Sequence, residues 1–464
     1  METHEVPANE AEVCASEQIV APSPGSPADK RGLLEKALSV VSEVRAGEGL
    51  GALLLTLNLF LLLGTYYVLK TVRETLILVD GGAEVKAYSS AAQAILLLIV
   101  VPVYGWIGTK INRNQLVRFT TIFFAANLFI FYLFARREVK IAIPYYIWVG
   151  IFNVFTISQL WAFASDLYDE CQGKRLFPIL GIGASLGAVA GAWAGGEMIK
   201  PLGINRMMLI SVAMLLICAG LSRLSGYVIV KKTGDEDAKA MDKAKLGTEG
   251  GFRLIMQDRY LMLIAILTVL LNVASLSGDF IMGKLVLNHA NELYGTGKAA
   301  SALKKQWVGG FFASYYYWTN LVGFLIQTFL VSRIFKLFGI RRALFFLPII
   351  SLATFASIAI YPFLAVARIF KIGENSVNYS LQNTVRHALL LPTSREAKYK
   401  AKAAIETFFV RFGDVLQAGI VYLGTQMAFS IRGFASISIF VTLAWIYVAV
   451  LIYRRHKVLA PIHH

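Results

Sequence analysis

Leu61-Leu-Leu-Gly-Thr-Tyr-Tyr-Val-Leu-Lys70-Thr-Val-Arg73-Glu74-Thr-Leu-Ile-Leu-Val-Asp80 decides how the whole chain is read. It lies in an apolar run that begins near Gly51 and is long enough to cross a bilayer. Yet Lys70, Arg73 and Glu74 stand close together, deep along that run. An isolated charge at the bilayer centre costs about 2.5–3.5 kcal/mol on insertion scales, so such residues face a bundle interior or a watery cavity. Lys70 and Glu74 are four apart and Arg73 adjoins Glu74, so one helix face offers two cations and one anion. The rest of the chain reads as a cage around that face.

The chain of 464 residues is 56% hydrophobic and 16% charged, with a mean hydropathy of +0.60. Apolar segments of about twenty residues recur to its end, the pattern of transmembrane helices. The sequence is therefore that of a polytopic membrane protein, with the lipid bilayer as a partner. The net charge of +16 lies mostly in short loops, where Lys and Arg set topology. It does not point to nucleic acid. Three cysteines are too few and too scattered for a disulfide framework or a zinc site, and the six histidines show no ligand spacing. No phosphate-binding Walker loop and no Ser-His-Asp order is present. Catalytic residues, a metal and a cofactor are not expected.

Residues 1–45 are rich in Ala, Glu, Ser and Pro and read as a disordered cytoplasmic tail, not a signal peptide. Within it, 36–44 has the composition of a short amphipathic surface helix. Twelve spans follow, near 51–79, 87–109, 116–135, 143–166, 176–199 and 206–230, then 260–283, 308–331, 341–363, 365–390, 402–427 and 433–453. They give an N-terminal six-helix bundle at 46–230, a cytoplasmic linker at 231–258, a C-terminal six-helix bundle at 259–455 and a tail at 456–464. With both termini and the linker in the cytoplasm, the loops on that side hold about twice the Lys and Arg of the other. The expected fold is an all-α membrane protein of two pseudo-symmetric halves, the layout of major-facilitator carriers.

The cations Lys70, Arg73, Arg386 and Lys402 come from both halves, and a shared cavity between them would attract an anion. Phosphate suits such a cavity, because guanidinium offers forked donors and ammonium a compact charge. Asp166, Asp279, Glu374, Glu406 and Asp414 are candidate proton-carrying or gating acids, and Arg411 with Asp414, three apart, reads as a structural pair. The opposite reading is that these cations only pair with acids to hold the bundle together. Gly181-Ile-Gly183-Ala-Ser-Leu-Gly187-Ala-Val-Ala-Gly191-Ala-Trp-Ala-Gly195-Gly196 has small residues every four positions, a surface for close helix packing rather than a nucleotide loop. Tyr66-Tyr67, Tyr315-Tyr-Tyr-Trp318 and Phe408-Phe409 read as interfacial or packing aromatics, with stacking on a substrate ring as the alternative.

Three blocks carry a resemblance. Val68-Leu-Lys-Thr-Val-Arg-Glu-Thr-Leu-Ile-Leu78 resembles the first-helix motif of the ATP/ADP translocases of intracellular bacteria and plastids. Leu160-Trp-Ala-Phe-Ala-Ser-Asp166, with Gly173-Lys-Arg-Leu-Phe-Pro-Ile-Leu-Gly-Ile-Gly-Ala184, is similar to that family's aromatic fourth helix and the approach to its fifth. Tyr379-Ser-Leu, then Lys398-Tyr-Lys-Ala-Lys-Ala-Ala-Ile-Glu406, is similar to the segment leading into its eleventh. The resemblance implies a nucleotide antiporter, with substrate residues at Arg73, Glu74, Lys174, Arg175 and Lys402. The chain departs from the family's Lys-then-Asp at Arg73-Glu74, and again after Ser380.

The reading is thus a monomeric inner-membrane carrier that exchanges phosphorylated anions, ATP for ADP, by alternating access. Two alternatives stand beside it: a proton-coupled permease for another organic anion, and a non-transporting membrane sensor or scaffold.

Overall fold

The computed structural model describes residues 32–108, 113–230, 251–297, 300–394 and 396–459. The tail expected at 1–45 lies mostly outside these residues, as do most of the linker and the end of the C-terminal tail. Every regular element among the described residues is a helix. The short α1 (Leu33–Leu38) buries no side chain and lies earlier than the surface helix expected at 36–44. It is followed by α2 (Gly49–Asp80), α3 (Gly82–Gly108), α4 (Arg113–Arg136) and α5 (Ala142–Phe152), the last continuing through a π-helical turn into α6 (Ser158–Leu167). Next comes α7 (Glu170–Val230). It is far longer than a bilayer crossing and reverses at Gly203, where Pro201 ends the first arm and a φ of 68° requires glycine.

Beyond the linker, α8 (Gly251–Gln257) leads to α9 (Arg259–Tyr294), whose first turn is capped by Asp258 accepting from the Tyr260 N–H at 2.7 Å. Then come α10 (Ser301–Leu325), α11 (Val331–Ala343), α12 (Phe346–Ile360), α13 (Leu364–Val377) and α14 (Asn383–Leu389). The short α15 (Lys402–Ala404), α16 (Val410–Gln426) and α17 (Ile431–Leu459) complete the chain. Span 9, expected at 341–363, is the shorter α12, because Tyr361 leaves helical geometry ahead of Pro362. The C-terminal tail, expected from 456, is helical to Leu459, with the Arg341 guanidinium donating to His456 Nδ1 at 3.2 Å.

Eight helical stretches among the described residues are long and apolar enough to cross a membrane. The polarity of the molecule is inverted to match. Phe119, Phe123, Ile99 and Phe440 are exposed, while Lys70, Glu74, Lys371 and Glu374 are buried. A water-soluble protein would place these the other way.

The core is organised around α2 and α7. The glycine ladder of α7 lies directly on α2: a Cβ at Gly183 would meet Thr56, one at Gly187 the backbone of Phe60, and one at Gly191 the backbone of Gly64. These contacts are closer than any side chain allows, so the two helices share one surface and α2 is held rigidly along it. Its other faces meet α10 and α5. The halves join where α10 packs on α2 and α7, and where α9 and α16 pack on α3.

Candidate functional site

Lys70 sits in α2 between the ladder and α10, and is 8% exposed. Its Nζ lies 4.2 Å from the ring centre of Tyr316, 5.3 Å from Tyr67 and 5.9 Å from Tyr66. Ring faces attract an ammonium. However, none of its three N–H donors has an oxygen partner, and no carboxylate stands within 4 Å among the described residues. Lys70 is thus a buried ammonium group faced by aromatic rings.

One turn on, Glu74 is clamped. Its Oε1 accepts from Arg73 Nη2 at 2.6 Å and Nε at 3.1 Å, and its Oε2 lies 2.6 Å from Lys86 Nζ. Arg73 stacks 4.6 Å from the Tyr146 ring. Lys86, at the start of α3, escaped the sequence reading because it stands just outside the apolar run placed at 87–109. The cluster holds Lys70, Arg73 and Lys86 against one carboxylate, and so keeps a positive excess.

The second half carries a cluster of opposite balance. Lys371 in α13 is fully buried, with its Nζ 3.3 Å from Asp279 Oδ1 and 3.3 Å from Glu374 Oε2. Ser351 donates to Glu374 Oε1 at 2.7 Å. Sequence reasoning found both acids but missed their lysine. The regular spacing of Arg368, Lys371 and Glu374 along one helical stripe was the available signal. The side chain of Asp279 is 37% exposed, at the seam between halves and within electrostatic reach of Lys70 and Lys86.

Other sequence-predicted residues lie apart from these clusters. Arg386 lines a cavity of about 340 Å³ with Thr268, Asn272, Asn378, Tyr379 and Asn383. Its Nη2 donates to Asn383 at 3.2 Å and its buried Nε has no partner. Lys402 lies 4.0 Å from Glu406, which also faces His387 at 3.6 Å, all of them substantially exposed. Asp414 accepts from Arg411 at 3.1 Å and from Asn272 at 2.6 Å, a tie between α16 and α9. Asp166 and Lys174 are exposed.

Arg175 is tied to Glu48. It forks onto Glu48 at 2.9 and 3.0 Å and donates to the Glu43 carbonyl at 3.1 Å, pinning the start of α7 to the segment before α2. Burial pushes the Glu48 carboxyl up. Hydrogen bonds from Arg175 and the Arg45 backbone, with the guanidinium charge, outweigh this and leave its pKa below the ordinary value.

At the end of α2 and start of α3, two ion pairs bridge the halves. Lys305 lies 2.9 Å from Asp80, and Lys284 lies 2.7 Å from Glu84.

The fold has solved counterparts. The nucleoside transporter NupG superposes with a TM-score of 0.59 at 13% identity, over 88% of this chain and 99% of its own. The POT family transporter PepTSo superposes at 0.61 and 10% identity, over 88% and 98%. Both likenesses, at 10–13% identity, concern the fold alone.

Sequence relatives are more specific. ADP,ATP carrier protein 1 of Chlamydia pneumoniae is 22% identical over 63% of this chain, and the match spans 63% of that carrier's length. ADP,ATP carrier protein 1 of Rickettsia bellii is 21% identical over 86% of this chain and 92% of its own. Residues 140–456, more than half of the chain, match the family described as TLC ATP/ADP transporter. By that match, the chain belongs to the TLC ATP/ADP transporter family.

Proposed function

We propose that this protein is an antiporter exchanging phosphorylated anions, ATP against ADP, by alternating access, with Lys70, Arg73 and Lys86 receiving the phosphates. The observation that carries this reading is Lys70, a buried ammonium without an anionic partner beside a cluster already rich in positive charge. The names borne by its relatives supply the nucleotide.

Counting the two arms of α7 separately, and adding α12, α13 with α14, and α15 with α16, gives twelve spans in two halves. The termini lie in the cytoplasm, and the membrane is the bacterial inner membrane. The Asp80–Lys305 and Glu84–Lys284 pairs then close the outer end, and the Arg386 cavity lies toward the cytoplasmic end. Arg386 and Lys402 meet the substrate on its way in.

Glu74 occupies Arg73 and Lys86 while the site is empty. Incoming phosphates take over those cations and satisfy Lys70 as well. Moving the uncompensated cluster through a closed state without substrate would cost several kcal/mol of desolvation, which favours exchange over net flow. Of the acids that a proton-linked permease would use, Asp166, Asp279 and Glu374, the last two are engaged by Lys371 and the first is exposed.

The test is uptake of labelled ATP into proteoliposomes loaded with ADP, beside empty ones. Uptake is expected only in loaded vesicles. Lys70→Ala should lower it by roughly ten- to a hundredfold, the worth of one hydrogen-bonded charge contact, at unchanged protein abundance. Equal uptake into empty vesicles would exclude obligate exchange, and unchanged uptake by Lys70→Ala would remove Lys70 from the site.

A further inference from the structure

Lys371 and Lys70 are both buried ammonium groups, but their surroundings are opposite. Lys70 has rings and no oxygen. Lys371 has three oxygens for its three N–H donors: the Ser275 carbonyl at 3.3 Å, Asp279 at 3.3 Å and Glu374 at 3.3 Å. Gly278 makes room for it, since a Cβ there would stand 2.8 Å from Nζ and 3.1 Å from Cδ. A backbone carbonyl and two carboxylates converging on one buried point form an all-oxygen donor set of the kind hard cations take, and here it is filled by a single positive charge. Here the cation is tethered.

We propose that Lys371 is the resident cation of a monovalent-cation site built by Ser275, Asp279 and Glu374, and that its presence makes transport independent of sodium and proton gradients. The inference rests on the carrier reading. It extends that reading to the coupling mode, which neither the fold nor the relatives specify. The groups facing the ammonium account for its permanence. From α9 comes Asp279, which also feels Lys70 and Lys86 across the seam. Glu374 comes from α13 itself, held in place by Ser351 of α12. Tyr315 of α10 lies near the two carboxylates rather than on the ammonium, and its hydroxyl accepts from Asn375 at 2.6 Å. Removing the ammonium alone would strand two carboxylates together, which then need a proton or an alkali cation; with Glu374 neutral as well, the partly exposed Asp279 keeps water and the charges of Lys70 and Lys86.

Purified protein is melted in sodium chloride or choline chloride at pH 8 and pH 6, and the same preparations are assayed for nucleotide exchange. Three proteins are compared: wild type, Lys371→Ala, and the charge-conserving Lys371→Met with Glu374→Gln. Lys371→Ala is expected to lose at least about tenfold in exchange at pH 8 in choline and to regain several-fold with sodium or acid. Its melting point should rise by several degrees under the same additions, because bound cation stabilises the folded state. Wild type and the double variant should respond to neither. A sodium-dependent melting shift in wild type, exchange driven by an imposed proton or sodium gradient, or an unaffected Lys371→Ala would each overturn the proposal. If Lys371→Ala does not fold, wild type and the double variant decide alone: indifference in both, with the double variant active, upholds it, and ion dependence in either overturns it. If wild type exchanges no nucleotide, the melting comparison still decides the cation site, and only the transport reading falls.

Discussion

At Glu48 two opposing effects meet, and their balance has a measurable consequence. Burial favours the neutral acid, while Arg175 and the Arg45 N–H favour the carboxylate and prevail. A carboxyl whose pKa is depressed by folding adds stability above its ordinary value of 4.5 and loses it as pH falls through the lowered folded value. Arg175→Ala should therefore cost about 1 kcal/mol at pH 7, the low end for a partly exposed charged hydrogen bond. The cost should shrink as the medium is acidified below the folded pKa, in thermal melts of the detergent-purified protein. An equal loss at all pH values would mean that Arg175 acts through packing alone. The resemblance implied a substrate contact for this arginine; its partner is a glutamate more than a hundred residues away. That distance explains why the sequence could nominate Arg175 as important but not say for what. Lys70, Arg73 and Glu74 were legible because charge inside an apolar run is conspicuous by itself. Lys86 and Lys371 were not: the first stands at the run's edge, and the second has a local partner in Glu374 but takes its full meaning from Asp279 of another helix.

Among the elements, the α2–α7 contact has the narrowest tolerance. At Gly187 an added side chain would enter the backbone of Phe60, whereas at Gly181 nothing stands within 4 Å. Gly187→Leu should separate the helices and destabilise the protein by about 1–3 kcal/mol or more. Gly181→Ala should be neutral or stabilising by up to about 1 kcal/mol, through helix propensity. Melting midpoints of the two variants check this, and equal shifts would refute the ladder as the close contact. The four-residue glycine period was plain in the sequence, and so was its purpose. Its partner was not, because any apolar helix could in principle lie there. The π-helical turns at Asn153–Ile157, Ile326–Leu330, Asn378–Gln382, Ala397–Ala401 and Ile405–Phe409 left no mark on hydropathy. They add one residue to a turn and redirect the helix beyond it, a change of phase that apolar periodicity is too coarse to detect.

For the whole molecule, the proposed exchange requires the two halves to part at one end and then the other. The Asp80–Lys305 and Glu84–Lys284 pairs hold one end together. Partly exposed pairs are worth about 0–1 kcal/mol each, so Lys305→Ala should change exchange only a few-fold. A covalent tie is different. Asp80→Cys with Lys305→Cys should stop exchange on oxidation and recover it on reduction. Continued exchange by protein shown to be cross-linked would mean that this end does not open. The clusters of the two halves also differ in sign, one with excess cation at Lys70 and the other with excess carboxylate around Lys371. An anion between them would be drawn to the first half, where Glu74 is the group it would displace.

The sequence by itself determined that this chain is a helical membrane protein, that charge lies inside its first span, and to which family it belongs. Hydropathy, helical period and short motifs are properties of consecutive residues, and the bilayer and the backbone act on them locally. Only the tertiary structure decided which charges meet: that Glu74 is held by Lys86, that Asp279 and Glu374 share Lys371, that Arg175 serves Glu48, and that Lys70 is left to three tyrosines. Three of those pairings, Lys371 with Asp279, Arg175 with Glu48 and Lys70 with Tyr316, join residues far apart in the chain. They are set by how α2 seats on α7 and by how the two halves close, and no local pattern encodes either.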